Sequence, residues 1–230
     1  MEPSAPEETV TRPPLIWHRV VQTWLTRKPS PHAGFIAAIS TFILVLGSIV
    51  YQQDFFQAHT WMDASRIKVF EHHQWWRLWT TLFAHADLGH LISNSILFFI
   101  LGYFLTGYFG ALLFPLAAFA FGGITNFFVL LNSPPDISLI GVSGVVYWMG
   151  GAWLALYFAL DKRKTYLQRS LRIGGVALGV FMPATAFDPT ISYGAHLIGF
   201  LTGLLYGVLY YLRHRSTFEA ALISETITDE

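Results

Sequence analysis

The chain has 230 residues, 53% of them hydrophobic and 17% aromatic, and only 12% are charged, about half the share of an ordinary soluble domain. Its 14 basic residues balance 14 acidic ones, which argues against a nucleic-acid binder, and the lack of cysteine excludes disulfide frameworks, thiolate zinc sites and cysteine nucleophiles. So few polar side chains cannot cover a soluble globule of this size, and the composition is that of a membrane protein.

Residues 1–30 are polar and proline-rich, too polar for a signal peptide, and read as a poorly ordered cytoplasmic tail. No formal charge occurs between Lys28 and Asp54, which predicts a first membrane span over 34–52. The segment from Gln52 to Thr81 is too long for a turn and carries Phe55, Phe56, Trp61, Phe70, Trp75, Trp76 and Trp79. That pattern predicts short amphipathic helices lying in the outer interface. Between Asp87 and Asp136 there is again no charge, with room for two spans, 88–106 and 110–131, broken at Thr106-Gly107-Tyr108-Phe109-Gly110. Further spans are expected over 143–160, 171–187 and 191–212. The fifth is the shortest, and it spans only if Leu171 and a snorkelling Arg172 extend its apolar run. Residues 216–230 read as a second cytoplasmic tail. The fold class is therefore all-α and polytopic: a six-helix bundle over 31–215 with one large outside loop between spans one and two.

Basic residues orient the bundle. Of the 14, only Arg66, Lys68 and Arg77 fall on one side; the rest flank span one, join spans four and five, or follow span six. The positive-inside rule then places both termini in the cytoplasm. Polar side chains within spans are expensive and mark function by default. His90 and Asn94 lie four apart on one face near the start of span two. Ser143 opens span four within Gly141-Val142-Ser143-Gly144, and His196 lies near the start of span six. Spans two, four and six run in the same direction, so all four residues fall at similar depth on the outer side. A nucleophile, a base and two hydrogen-bond donors at one level suit acyl transfer. Singly, each has a duller reading: Ser143 as a helix cap, the histidines as packing residues, Asn94 as helix glue, and Gly199 with Gly203 as a close-packing stripe. All of these would have to hold together at matched depth.

The chain resembles the rhomboid intramembrane serine proteases over about residues 70–210. The resemblance rests on Trp76-Arg77, then His85-Ala86-Asp87-Leu88-Gly89-His90-Leu91-Ile92-Ser93-Asn94, then Gly141-Val142-Ser143-Gly144, then Ala195-His196-Leu197-Ile198-Gly199 continuing to Gly203. The chain departs at Ser95, where the family usually has a large apolar residue, and in its short fifth span. The resemblance implies a Ser143–His196 dyad, an oxyanion hole built from His90, Asn94 and the Ser143 backbone N–H, and Tyr147 packed against the base. It implies transmembrane protein substrates in a lipid setting, no cofactor or metal, a bacterial cytoplasmic membrane, and span five as the lateral gate, with Gly174, Gly175 and Gly179 and its end at Pro183 and Pro189. Gly141 and Gly144 would let the loop dip toward Ser143 and let spans four and six approach closely. His85 and Asp87 near the rim would help to wet the site.

Other classes fail on particular residues. Glu71-His72-His73 lacks the spacing of a zinc-protease motif. The spans contain no aspartate pair, and Lys28, Lys68, Lys162 and Lys164 lie in tails or loops, away from Ser143. A transporter would need charged coupling residues or repeated half-sites at mid-membrane. The alternative that stays open is a non-proteolytic rhomboid-like membrane chaperone or adaptor.

Overall fold

A computed structural model describes residues 16–181 and 192–228. Strand β1 (Ile16–Gln22) leads through a one-turn helix, Trp24–Thr26, into α1 (Ala33–Gln52). Short helical turns, Phe55–Thr60, Ile67–Glu71 and α2 (Arg77–Thr80), fill the connection to α3 (Leu88–Phe109). A π-helical turn, Leu112–Ala117, runs into α4 (Ala118–Leu131). There follow α5 (Ser143–Leu160), α6 (Tyr166–Val176) with a π-helical continuation Ala177–Phe181, α7 (Tyr193–Arg213), α8 (Arg215–Glu219) and strand β2 (Ile223–Thr228).

Local chemistry sets these boundaries. The Asp87 carboxylate accepts the His90 N–H at 2.9 Å and starts α3, which stops at Gly110 with φ +87°. Thr165 and Gln168 cap the start of α6 reciprocally, at 3.3 and 3.2 Å.

Among the described residues, five helical segments are long and apolar enough to cross a membrane: Ala33–Gln52, Leu88–Phe109, Leu112–Leu131, Ser143–Leu160 and Tyr193–Arg213. The expected fifth span over 171–187 is described only to Phe181, and its helix begins earlier than expected, at Tyr166. Pro183 and Pro189 lie outside the described residues.

Helix α5 is the centre of the bundle, with 67% of its span buried against 22–44% for the other four. Its partner α7 approaches so closely that a Cβ on Gly199 would run into the Gly144 carbonyl oxygen, and one on Gly203 into that of Trp148. A Cβ on Gly207 would lie 2.7 Å from the Ala152 carbonyl oxygen. Small residues every fourth position on α7 thus meet backbone every fourth position on α5, as membrane helices need when packing rather than water drives their association.

Parts of the two segments expected to be poorly ordered tails are strands among the described residues. Ile16–Gln22 pairs antiparallel with Ile223–Thr228, from Ile16 opposite Thr228 to Gln22 opposite Ile223. Both segments are rich in β-branched residues, and the bundle delivers them to the same end. Trp24 anchors the ribbon: its indole N–H donates to the Tyr108 carbonyl at 2.8 Å, and its ring meets that of Phe218 edge-on at 5.1 Å.

Candidate active site

The loop that delivers Ser143 is fastened to the outer segment at several points. Leu139 and Ala64 exchange backbone hydrogen bonds of 2.7 and 3.2 Å, and the Thr81 hydroxyl donates to the Leu139 carbonyl. Gly141 returns its N–H to the Thr81 carbonyl at 3.0 Å from φ +107°, a conformation that glycine alone adopts without strain. Ser143 is then the first residue of α5, with Val142 at the cap position and no side-chain cap bond. The reading of Ser143 as a helix cap therefore fails.

His196 stands one turn into α7, whose start is capped by the Ser192 hydroxyl oxygen accepting the Ala195 N–H at 3.4 Å. Its imidazole lies over the Tyr147 ring, centroids 3.9 Å apart and planes 8° from parallel. The Tyr147 hydroxyl donates to the Phe181 carbonyl at 2.6 Å. His196 Nδ1 is buried without a hydrogen-bond partner among the described residues, so no carboxylate orients the ring there. The ring contact it does make is the stack on Tyr147.

On α3 the Asp87 carboxylate also holds the His90 ring, with Oδ2 3.2 Å from Nδ1. Asn94 follows one turn further in. A single cavity of about 420 Å³ is lined by Ser143, His196, His90 and Asn94 together, with Gly141 and Gly144 in its wall. Tyr147, Gly199 and Gly203 stand behind that wall rather than on it.

Two cavity residues escaped the sequence reading or were read only in part. Asn126, buried on α4, donates from Nδ2 to the Leu78 carbonyl at 2.8 Å; a polar side chain in an apolar run was the signal for it. His85, expected only to wet the rim, is 2% exposed and bonded through Nδ1 to Ser48 Oγ on α1 at 2.8 Å. The Ser48 hydroxyl donates to the Phe83 carbonyl at 2.8 Å, so His85 Nδ1 carries the proton of that bond and Nε2 is a bare acceptor, buried without a partner among the described residues. Burial pushes its pKa down to about 4, so the ring is neutral at physiological pH.

Beneath the cavity rim a charged brace joins the outer loops. The buried Arg77 guanidinium donates to the Asp63 carbonyl at 2.6 Å and carboxylate at 3.2 Å, to the Thr60 carbonyl at 2.6 Å and to Gln74 at 2.5 Å. Asp63 also accepts from Lys68 at 2.6 and 2.8 Å and from the Ser138 hydroxyl at 2.6 Å. Burial pulls the Asp63 pKa upward, but hydrogen bonds from Lys68 and Ser138 and the charges of Lys68 and Arg77 outweigh it and hold the group below the usual carboxylate range. Ser138 lies five residues before Ser143 in the chain, so this brace bears directly on the loop carrying the candidate nucleophile.

Residues 72–213 match a family model described as Rhomboid domain. The chain is 27% identical over 177 residues to the putative rhomboid protease YdcA of Bacillus subtilis strain 168, covering 74% of this chain and 87% of that protein. It is 30% identical over 183 residues to the rhomboid protease GluP of the same organism, covering 66% of this chain but only 35% of that longer protein.

Proposed function

Because the chain belongs to the rhomboid family, we propose that it is an intramembrane serine endopeptidase cutting single-span membrane proteins near the outer membrane boundary through a Ser143–His196 dyad. The observation that carries this reading is the one cavity lined by Ser143, His196, His90 and Asn94. Ser143 Oγ attacks the scissile carbonyl carbon while His196 removes its proton and then delivers it to the leaving amine. Water next attacks the acyl-enzyme, with His196 again taking the proton, and Ser143 is released. The oxyanion is met by side-chain donors from His90 and Asn94 and by the Ser143 N–H, which at the first turn of α5 has no carbonyl four residues back to bond. Tyr147 positions the base by stacking, in place of the third acidic residue of a triad.

A bacterial cytoplasmic membrane with both termini inside fits the charge distribution, and the pairing of β1 with β2 is in keeping with both termini lying on one side. Hydrogen-bonded terminal strands lie on one side of the membrane, so the chain crosses an even number of times. With five described spans, the segment from Tyr166 is the candidate for the sixth. Lateral access past that segment accords with Gly174, Gly175 and Gly179, where a Cβ would meet nothing within 4 Å among the described residues.

The test is cleavage of a single-span reporter by the purified protein, with active-site labelling by a fluorophosphonate. Parent protein should cut and label, Ser143→Ala should do neither, and His196→Ala should lose cleavage and most labelling. Asn94→Ala should lose about 10²–10³ in turnover, as expected for one oxyanion donor. Labelling that persists in Ser143→Ala would overturn the assignment, and binding of the reporter without cleavage by parent protein would favour a chaperone.

A further inference from the structure

At the end of the bundle opposite Ser143, helices α5 to α8 line a second, open cavity of about 1000 Å³. Ile173, Leu204 and Val208 are among the residues of its apolar wall, and Lys162, Lys164, Arg169 and Arg215 line it against one carboxylate, Glu219. That carboxylate is already engaged, 2.8 Å from Arg215 Nε and 3.8 Å from Lys162 Nζ. Lys164 and Arg169 have no acidic partner among the described residues. Arg169 is only 6% exposed. Its guanidinium packs over the rings of Tyr166 and Phe158, at 4.5 and 5.0 Å, and Nη1 donates to the Phe158 carbonyl. Its Nε is buried with no acceptor among the described residues.

A buried guanidinium without a counter-ion is costly unless something supplies the missing charge and acceptors. The cavity sits where α5 ends at Leu160 and α7 ends at Arg213, the level at which spanning helices meet lipid headgroups. A small soluble anion would satisfy Arg169 but leave the apolar wall uncovered. An amphiphile with an anionic head matches both halves, and basic pockets between helix ends are suited to such heads. We propose that this cavity binds the phosphate of an anionic phospholipid, with Lys164 and Arg169 on the phosphate and an acyl chain along Ile173, Leu204 and Val208. A lipid so held links the first turns of α6 to α5 and α7. It therefore steadies the base of the segment whose outer part would have to yield to substrate.

Native mass spectrometry of the full chain in a neutral detergent reads this directly, with phosphatidylglycerol, phosphatidylcholine and glycerol 3-phosphate as probes. Carrying the measurement out on Ser143→Ala separates it from proteolysis, so its failure leaves the protease reading intact. Phosphatidylglycerol should bind at least about tenfold tighter than phosphatidylcholine. Lys164→Gln should weaken phosphatidylglycerol about tenfold, the worth of one charge-assisted hydrogen bond. Arg169→Lys, which keeps the charge and loses the fork, should weaken it several-fold. Lys28→Gln, an equal charge loss at the same end but away from the cavity, should change nothing. Equal binding of the two lipids, or an equal loss in Lys28→Gln, would overturn the proposal in favour of a diffuse basic surface. Glycerol 3-phosphate binding as tightly as the lipid would overturn it in favour of a soluble phosphate site. If Arg169→Lys fails to fold, Lys164→Gln against Lys28→Gln decides alone.

Discussion

The imidazole of His196 lies flat on the phenol of Tyr147, 3.9 Å between centroids and 8° from parallel, while the Tyr147 hydroxyl is tied to the Phe181 carbonyl at 2.6 Å. One side chain thus touches both the candidate base and the last described residue of the α6 segment. The two contacts can be separated. Tyr147→Phe keeps the stack and loses the tie; Tyr147→Ala loses both. A stacked pair contributes about 0.5–1.5 kcal/mol beyond its area, so Tyr147→Ala should lower kcat on a soluble reporter peptide roughly threefold to tenfold through stacking alone. Tyr147→Phe should leave that kcat near parent and change mainly the rate on a transmembrane substrate. Equal effects of the two changes on the peptide would show that stacking does not position His196.

The glycines of α7 make a sharper prediction. A Cβ on Gly199 would meet the Gly144 carbonyl oxygen, one residue beyond Ser143, and backbone cannot give way as a flexible side chain can. Gly199→Ala should force α5 and α7 apart, with an overpacking cost of about 1–3 kcal/mol, and should lower thermal stability and fluorophosphonate labelling together. A Cβ at Gly174 or Gly175 would meet nothing within 4 Å among the described residues. Gly174→Ala and Gly175→Ala should be neutral or slightly stabilising, because alanine favours helix. A stable, fully labelled Gly199→Ala protein would mean that close α5–α7 contact is not what aligns the dyad.

What the sequence reveals and what it hides follow from the range of the interactions. Spans, helix starts and polar residues at matched depth depend on runs of neighbouring residues, so the sequence alone sets Ser143, His196, His90 and Asn94 at one level, and all four line one cavity. The stacking of Tyr147 followed from its position one turn beyond Ser143 together with the family resemblance. The terminal ribbon was hidden because its two strands stand at opposite ends of the chain, and each alone is too short to announce a sheet. The link between Asp63 and Ser138 was hidden for the same reason, since 75 positions separate them and only the folded loops bring them together. Ser48 and Asn126 were visible as polar residues in apolar runs, but their partners, His85 and the Leu78 carbonyl, come from other elements.

That brace predicts a stability effect remote from the dyad. Removing one partner of a buried pair strands the other, at about 3–5 kcal/mol. Arg77→Ala would take the guanidinium from the Asp63 and Thr60 carbonyls and leave the Asp63 carboxylate to Lys68 and Ser138 alone, and should be the most damaging change in the outer loops. Ser138→Ala removes one hydrogen bond from a carboxylate that Lys68 and Arg77 still hold, and should cost about 1–2 kcal/mol. Unfolding midpoints in detergent measure both. A smaller loss in Arg77→Ala than in Ser138→Ala would show that Arg77 is not the centre of the brace.

The last prediction concerns acid. His85 is buried and neutral in the fold, with its pKa held near 4 chiefly by burial and also lowered by His90, against partial support from the Phe83 carbonyl and Asp87. In the unfolded chain the same group returns to about 6.5. Between those values the unfolded state binds more protons than the folded state, so stability falls as pH drops from about 6.5 toward 4 and is fully present above that window. One such group changes stability by at most about 1.4 kcal/mol per pH unit. Asp63, held below the usual carboxylate range, favours folding above about 3.8 and loses that contribution only at lower pH, so it does not mimic the effect. His85→Gln keeps a donor for Ser48 Oγ and cannot titrate. Its unfolding midpoint should therefore decline less steeply than that of the parent between pH 6.5 and 4.5. Parallel declines would mean that His85 is not the group the fold keeps neutral.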